Sequence, residues 1–174
     1  LNTNLILLNS TSERFPNGLG NDNGLLGKYI CFHIYRGHSG GTMPGFEDKY
    51  YYGRKPSEPI LANFRNLKEQ DMDYVGGYTI FSGAYRMRKD KLENSDTQFG
   101  AEFKEAISQP GDWHVYMYMQ GETIPKETNR VYLSKDQKDQ WGIPLLVTDV
   151  DYDDNDDKMV ADFLVQSKAM LEKV

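Results

Sequence analysis

A run of alternating aromatic and apolar residues at positions 113–119 constrains the fold more than any other feature of the sequence. Successive side chains of a β-strand point to opposite faces, so His114, Tyr116 and Tyr118 are expected on one face and the odd-numbered residues on the other. The sequence therefore predicts a strand with one aromatic face near the middle of the chain.

Further elements follow from shorter patterns. Strands are predicted at 29–35, 74–82, 129–133 and 144–150, and a short aromatic one at 49–54. A helix is expected at 101–109, ended by Pro110, and residues 2–8 read as a short strand or helix. Loops are predicted at 17–24 and 36–47, where glycine recurs.

The last segment, 155–174, has the pattern of an amphipathic helix, with Met159, Phe163 and Met170 among the apolar residues at helical spacing. Helices and strands are mixed without an alternating β-α-β rhythm. The sequence therefore predicts an α+β fold, with a mostly antiparallel sheet of about five to six strands, flanking helices and this C-terminal helix.

Composition excludes several classes of protein. Apolar residues make up 39% of the 174, enough to build a core, and the net charge of −6 argues against a nucleic-acid partner. No apolar run approaches the ~20 residues needed to span a bilayer. The single cysteine, Cys31, rules out an internal disulfide or a multi-cysteine zinc site, and its apolar surroundings predict a buried, inert thiol.

Local motifs do not identify an active site. The acidic run at 149–157 begins like a calcium loop, but Asp154 and Val160 stand where that loop needs glycine and glutamate, so a strand end leading into a helix is predicted. The glycines at 18–24 lack dinucleotide-loop spacing, and the three histidines lack metal-ligand spacing. From the residues alone, the sequence predicts a domain without a self-contained active site.

Two stretches together resemble a known family. Residues 12–28, with the pattern N-x-x-G-x-x-G-K, lead into a strand that contains His33. Residues 121–133 read G-E-x-x-P followed by N-x-V-x-L, and W-G-I-P follows at 141–144. In this order they resemble the glucose–methanol–choline family of flavin oxidoreductases, in particular its sugar-oxidising branch, which includes pyranose oxidase and glucoside dehydrogenases.

The resemblance implies a parent protein that binds FAD and oxidises an alcohol, a sugar hydroxyl in that branch, by hydride transfer to the flavin. In the family, the flavin fingerprint lies upstream of these motifs and the catalytic histidine downstream. The chain would thus hold no catalytic residue and would be the middle part: residues 1–28 end the flavin-binding region with its connecting loop, and 29–174 form the substrate-binding domain. Its partners would be the substrate and the missing flavin-binding domain.

The resemblance also implies site residues. Asn21, Gly24, Gly27 and His33 would lie near the edge of the flavin, although Phe32 stands where the family has aspartate. Five residues would form the substrate-facing sheet: Tyr78, Phe81, Tyr85, Tyr116 and Tyr118.

Two segments complete this reading. The stretch 84–99 would gate the substrate. Residues 38–42 match a late histidine motif of the family but come far too early, so they are interpreted as a substrate-side loop.

One alternative stays open, a stand-alone carbohydrate- or protein-binding module without catalytic activity. The chain begins with Leu1, so it is expected to be a piece or a processed product, with cytoplasm and periplasm both open as compartments. If it is a fragment, the isolated chain is expected to self-associate through the apolar face uncovered by the missing domain. Substrate and electron acceptor stay open.

Overall fold

The computed structural model describes residues 1–49, 53–54, 58–88 and 99–173, with only the backbone at position 88. Its elements in chain order are α1 (Asn2–Asn9), β1 (His33–Ile34), β2 (His38–Met43), β3 (Ile60–Leu61), β4 (Tyr78–Arg88), α2 (Ala101–Ser108), β5 (Pro110–Glu122), β6 (Arg130–Lys138), β7 (Pro144–Asp149) and α3 (Asp154–Leu171). The chain divides into two compact units: unit 1 contains residues 1–33 and 122–156, and unit 2 contains 34–121 and 157–174. The α+β class and the antiparallel pairing are confirmed.

Unit 1 is built around the antiparallel pair β6–β7, on which α1 packs. The long segment between α1 and β1 follows this hairpin closely. Gly27 accepts a hydrogen bond from the Val131 N–H at 2.7 Å, and a Cβ at position 27 would lie 2.3 Å from the Val131 carbonyl oxygen. With a φ of +85°, position 27 is doubly restricted to glycine.

The turn of the hairpin and the start of α3 are fixed by aspartates. Asp139 accepts hydrogen bonds from the N–H groups of Trp141 and Ile143, both at 2.9 Å. Asp153 and Asp156 cap the start of α3 reciprocally, since each carboxylate accepts the backbone N–H of the other. The acidic run therefore links a strand end to a helix start, as predicted.

Unit 2 is organised by a five-stranded sheet in the order β1-β5-β4-β3, with β2 also paired to β5. β4 and β5 form its antiparallel centre, where Ile80 lies opposite Met119 and Phe81 opposite Tyr118. One face of this sheet packs on α3, where Tyr78 meets Phe163 edge-on at 6.0 Å. The fully buried side chains of this core are Ile34, Tyr78, Ile80, Met119, Met159 and Phe163.

Several sequence predictions are corrected by the structure. The strand predicted at 29–35 is confined to β1, and Cys31 in the preceding segment is exposed rather than buried. The segment predicted as a loop at 36–47 contains β2, so residues 38–42 lie in a strand and not in a loop. The predicted strand at 74–82 starts only at Tyr78 and continues to position 88.

The remaining predictions can be placed against the described elements. Of the gate predicted at 84–99, positions 84–88 lie in the strand β4 and 89–98 fall outside the described residues, while Phe99 is described and exposed. The same holds for positions 50–52 of the strand predicted at 49–54. The helices predicted at 101–109 and 155–174 are confirmed as α2 and α3, and residues 2–8 lie in the helix α1. Within the described residues, no helix is long and apolar enough to cross a membrane.

Candidate functional site

The face of the larger sheet that points away from α3 carries a cluster of aromatic side chains, called here the aromatic face. Strand register brings them together, because residues directly opposite each other in an antiparallel pair share a face. Tyr118 lies between Phe81 of β4 and His38 of β2, and His114 lies opposite Tyr85. The members of the aromatic face are Tyr35, His38, Phe81, Tyr85, His114, Tyr116 and Tyr118.

The rings of the aromatic face form a continuous network centred on Tyr118. Its ring lies 5.3 Å from that of Phe81 and 6.3 Å from that of Tyr116, with interplanar angles of 11° in both pairs. Tyr35 and His38 each stack on it at 6.2 Å. Such contacts restrict the rotamers of the rings, so the face is preorganised.

Glu58, just before β3, brings a carboxylate to the aromatic face. The Tyr116 hydroxyl donates to its Oε1 at 2.8 Å, and the Tyr118 hydroxyl donates to its Oε2 at 3.1 Å. Both carboxylate oxygens are therefore occupied by one tyrosine each. The pair of bonds fixes the tips of two neighbouring rings on β5 relative to one charge.

Two glycines make room for this arrangement. Gly83 lies opposite Tyr116 in the register, and a Cβ there would stand 2.5 Å from the Tyr116 hydroxyl oxygen. The Tyr116 ring therefore leans across β4 over a position without a side chain. Gly40 of β2 leaves space for the backbone of β5 in the same way, since its Cβ would lie 2.6 Å from the Val115 carbonyl oxygen.

The pKa values of both tyrosines are raised by their surroundings. The hydrogen bond to Glu58, followed by burial, raises the pKa of Tyr116. Burial, followed by the hydrogen bond to Glu58, raises the pKa of Tyr118. Both phenols thus keep their protons at neutral pH, and those protons point at the carboxylate.

The structure does not bring Tyr78 together with the other four predicted substrate residues. Its side chain is 1% exposed and packs against α3 on the opposite side of the sheet. Its hydroxyl donates to Asp162 of α3 at 2.7 Å, and Tyr74 donates to the same carboxylate at 2.9 Å. Arg65 completes the cluster with two hydrogen bonds to Asp162, at 2.7 and 2.8 Å.

Electrostatics within this second cluster fit a structural role. Burial would raise the pKa of Asp162, but the hydrogen bonds from Arg65, Tyr78 and Tyr74 outweigh it, and the pKa is lowered. Burial and the charge of Asp162 raise the pKa values of Tyr74 and Tyr78 well above the ordinary range. The cluster therefore ties α3 to the sheet of unit 2 through a paired charge.

The four residues predicted near the flavin lie in unit 1. Asn21 and Gly27 are committed to internal contacts, since Asn21 accepts the Leu26 N–H and Gly27 lies against Val131. Gly24 is exposed, with a φ of +67° and open space where a Cβ would stand, and His33 is exposed on β1. Of these four residues, Gly24 and His33 are therefore the two that are exposed at the surface.

Each unit also contains a cleft. In unit 1, a polar cleft of about 610 Å³ is lined by cations and carboxylates, of which Lys28 pairs with Glu127 and Arg130 with Asp149. In unit 2, an apolar cleft of about 330 Å³ lies between Trp113 and Phe46. Among the described residues, no group of three or more histidine, cysteine or acidic side chains is arranged to hold a metal ion.

Sequence reasoning missed Glu58 and assigned His38 to a loop. Glu58 reaches Tyr116 and Tyr118 across about 60 positions of sequence, so no local pattern could have revealed it. His38 belongs to a strand that carries two adjacent glycines, which strand propensity disfavours. The alternation of residues in β5 did predict the centre of the aromatic face, since it places His114, Tyr116 and Tyr118 on one side of the strand.

Comparisons with known proteins give two distant relatives. The chain is 27% identical over 153 residues to the 2-methyl-1,2-propanediol dehydrogenase of Mycolicibacterium austroafricanum, covering 83% of this chain and 26% of that protein. It is 28% identical over 149 residues to the fructose dehydrogenase large subunit of Gluconobacter japonicus, with the same coverage of 83% and 26%. No family model matches the chain.

These comparisons support a general kind of protein. Both relatives are named as dehydrogenases, and the similarity extends over most of the chain in each case, which supports an oxidoreductase. The chain spans about a quarter of the length of the curated relatives it matches, 26% of each.

Proposed function

We propose that this chain is the substrate-binding part of a flavin-dependent oxidoreductase of the glucose–methanol–choline kind, which oxidises a hydroxyl group of a sugar or another alcohol. One observation carries the proposal: the chain matches two dehydrogenases over 83% of its length. The sequence motifs at 12–28 and 121–144 support the same assignment.

The names of the relatives support a substrate with several hydroxyl groups. One is named for a diol and the other for a sugar. Aromatic rings and a carboxylate on one open surface suit such ligands, because rings contact C–H groups and carboxylates accept hydroxyl protons. The aromatic face, with Tyr85, Tyr116, Tyr118 and Phe81, is therefore the part of this chain proposed to contact substrate.

The flavin belongs to the same proposal. A bound FAD would supply a hydride acceptor, which is chemistry that protein side chains lack. Gly24 and His33 are the exposed residues of this chain proposed to lie beside it. The division of roles at residue 28 between a flavin-side segment and a substrate-side domain also stays part of the proposal.

Expression of the complete open reading frame that contains this sequence tests the proposal. The purified protein is expected to show the absorbance bands of a flavin, to release FAD when denatured, and to reduce an artificial electron acceptor when 2-methyl-1,2-propanediol or fructose is added. A preparation that holds no flavin and reduces no acceptor with any of a panel of sugars and polyols would overturn it.

The aromatic face on its own favours a second candidate, a carbohydrate-binding module without catalysis. A preorganised ring network with a central carboxylate needs no cofactor to bind a polyol. The same expression experiment separates the two, since the module would bind sugars without containing flavin and without reducing the acceptor.

A further inference from the structure

The hydrogen bonds around Glu58 bring four oxygen atoms together in one place. Two are the carboxylate oxygens, and two are the hydroxyl oxygens of Tyr116 and Tyr118, which lie 2.8 and 3.1 Å from them. Since an ionised carboxylate has no proton, each tyrosine must be the donor in its bond. These four atoms are called here the acceptor cluster.

The acceptor cluster has no donor left to offer. Each tyrosine has one hydroxyl proton and donates it to Glu58, so its oxygen can only accept further hydrogen bonds. Each carboxylate oxygen receives one proton from a tyrosine and keeps capacity for another. Within the described part of the chain, Glu58 accepts from these two tyrosines and forms no ion pair.

A ligand at the acceptor cluster must therefore bring its own hydrogen-bond donors. Hydroxyl groups on neighbouring carbons do this without a net charge, and the C–H groups between them can contact the rings of Phe81 and Tyr118. A carboxylate or phosphate at the same place would put lone pairs and negative charge against Glu58, which is unfavourable.

We propose that Glu58, held by Tyr116 and Tyr118, is the specificity-determining residue of the aromatic face, and that it selects neutral polyols over sugar acids and sugar phosphates. This inference rests on the proposed function, which assigns the substrate to this face. It goes further by naming the residue that discriminates and the class of compound that is rejected. Glu58 contacts the ligand through hydrogen bonds and takes no part in the chemical step.

The test compares two six-carbon compounds, sorbitol and gluconate, which differ in charge. Ligand-observed saturation-transfer NMR titrations use the protein from the complete open reading frame, with no electron acceptor present. Sorbitol is expected to bind at least about tenfold more tightly than gluconate, the difference that one hydrogen bond to a charged group provides. Equal affinities for the two compounds would overturn the inference.

Variants assign the selectivity to Glu58. Glu58→Gln removes the charge and adds an N–H donor, so sorbitol affinity is expected to fall and the preference over gluconate to disappear. Glu127→Gln is the matched control, since Glu127 is an exposed glutamate of unit 1, and it is expected to leave both affinities unchanged. A Glu58→Gln protein that keeps the wild-type ratio of the two affinities would show that Glu58 only supports the tyrosines.

A third variant keeps the test decisive if circular dichroism shows that Glu58→Gln is poorly folded. Tyr118→Phe retains the charge of Glu58 and removes one hydroxyl, so sorbitol should bind more weakly while the preference over gluconate remains. Loss of that preference in Tyr118→Phe would count against the role of the charge. Flavin content and acceptor reduction, measured on the same preparations, report on the proposed function separately from this selectivity.

Discussion

Replacing Gly83 by alanine tests the geometry of the aromatic face. A Cβ at position 83 would lie 2.5 Å from the Tyr116 hydroxyl oxygen and 2.7 Å from its Cζ. Ordinary van der Waals contact needs about 3.5 Å, so the tip of the ring has to retreat by about 1 Å. The bond from Tyr116 to Glu58 is 2.8 Å long, and such a retreat lengthens it beyond hydrogen-bond range unless Glu58 follows.

The expected magnitude follows from that displacement. Overpacking costs about 1–3 kcal/mol, and the lower end applies because the clash involves the tip of a half-exposed ring and not backbone. The free energy of unfolding should therefore fall by about 1 kcal/mol. Sorbitol affinity should fall by about fivefold, because one oxygen of the acceptor cluster is displaced.

Gly41→Ala is the matched control. Gly41 lies in β2 of the same sheet, and a Cβ there would have no heavy atom within 4 Å. Alanine restricts the unfolded chain more than glycine in both variants, so this contribution cancels in the comparison. The measurements are urea unfolding followed by circular dichroism and the sorbitol titration. Equal unfolding midpoints and equal affinities for the two variants would refute the placement of Tyr116 over Gly83.

Four further predictions concern stability and exposure. Asp162→Asn should lower the free energy of unfolding by about 3 kcal/mol, because it leaves a partly buried arginine unpaired, whereas Asp112→Asn at an exposed position should change it little in the same urea titration. The folded protein lowers the pKa of Asp162, so the ionised carboxylate contributes its full stabilisation above the ordinary pKa of aspartate. As acid protonates the folded group, wild type should lose this part of its free energy of unfolding, and Asp162→Asn should not. Gly37→Ala should cost about 2–3 kcal/mol more than Gly41→Ala, because its Cβ would lie 2.5 Å from a buried phenylalanine ring, and similar melting curves would contradict the packing of α3. Cys31 should react with a thiol reagent in the folded protein as fast as in urea, and protection would contradict its exposure.

The sequence was sufficient where one periodicity covers a whole element. β5 was predicted from its alternation, including which side chains share a face, because the period of a strand is fixed by backbone geometry. α3 was predicted from apolar spacing, and Met159 and Phe163 are buried as that spacing implies. The α+β class followed from the absence of a β-α-β rhythm.

The sequence was insufficient where tertiary contacts decide the conformation. β2 forms although it contains two adjacent glycines, because it pairs with six consecutive residues of β5. Cys31 is exposed because it precedes β1 and lies outside the sheet. Its apolar neighbours in the sequence do not reveal this. Tyr78 and Phe81 are three positions apart in one strand, so alternation alone puts their side chains on opposite faces, and grouping them as substrate residues was wrong on that ground. What the sequence could not tell is which of the two faces α3 covers.

Among the described residues, each face of the larger sheet carries a carboxylate that accepts hydroxyl protons from two tyrosines. On the α3 face, Asp162 accepts from Tyr74 and Tyr78, its side chain is 10% exposed, and Arg65 neutralises its charge. On the open face, Glu58 accepts from two tyrosines, and no described residue supplies it with a cation.

The two clusters differ in what uses the remaining hydrogen-bonding capacity of the carboxylate. The hydrogen-bonding capacity of Asp162 is used within the protein, so that cluster can only hold the fold together. Among the described residues, two tyrosines donate to Glu58, which leaves acceptor capacity beside a surface of aromatic rings, so a ligand with hydroxyl groups can complete it. The same local chemistry therefore supports stability on one side of the sheet and, in our proposal, polyol recognition on the other.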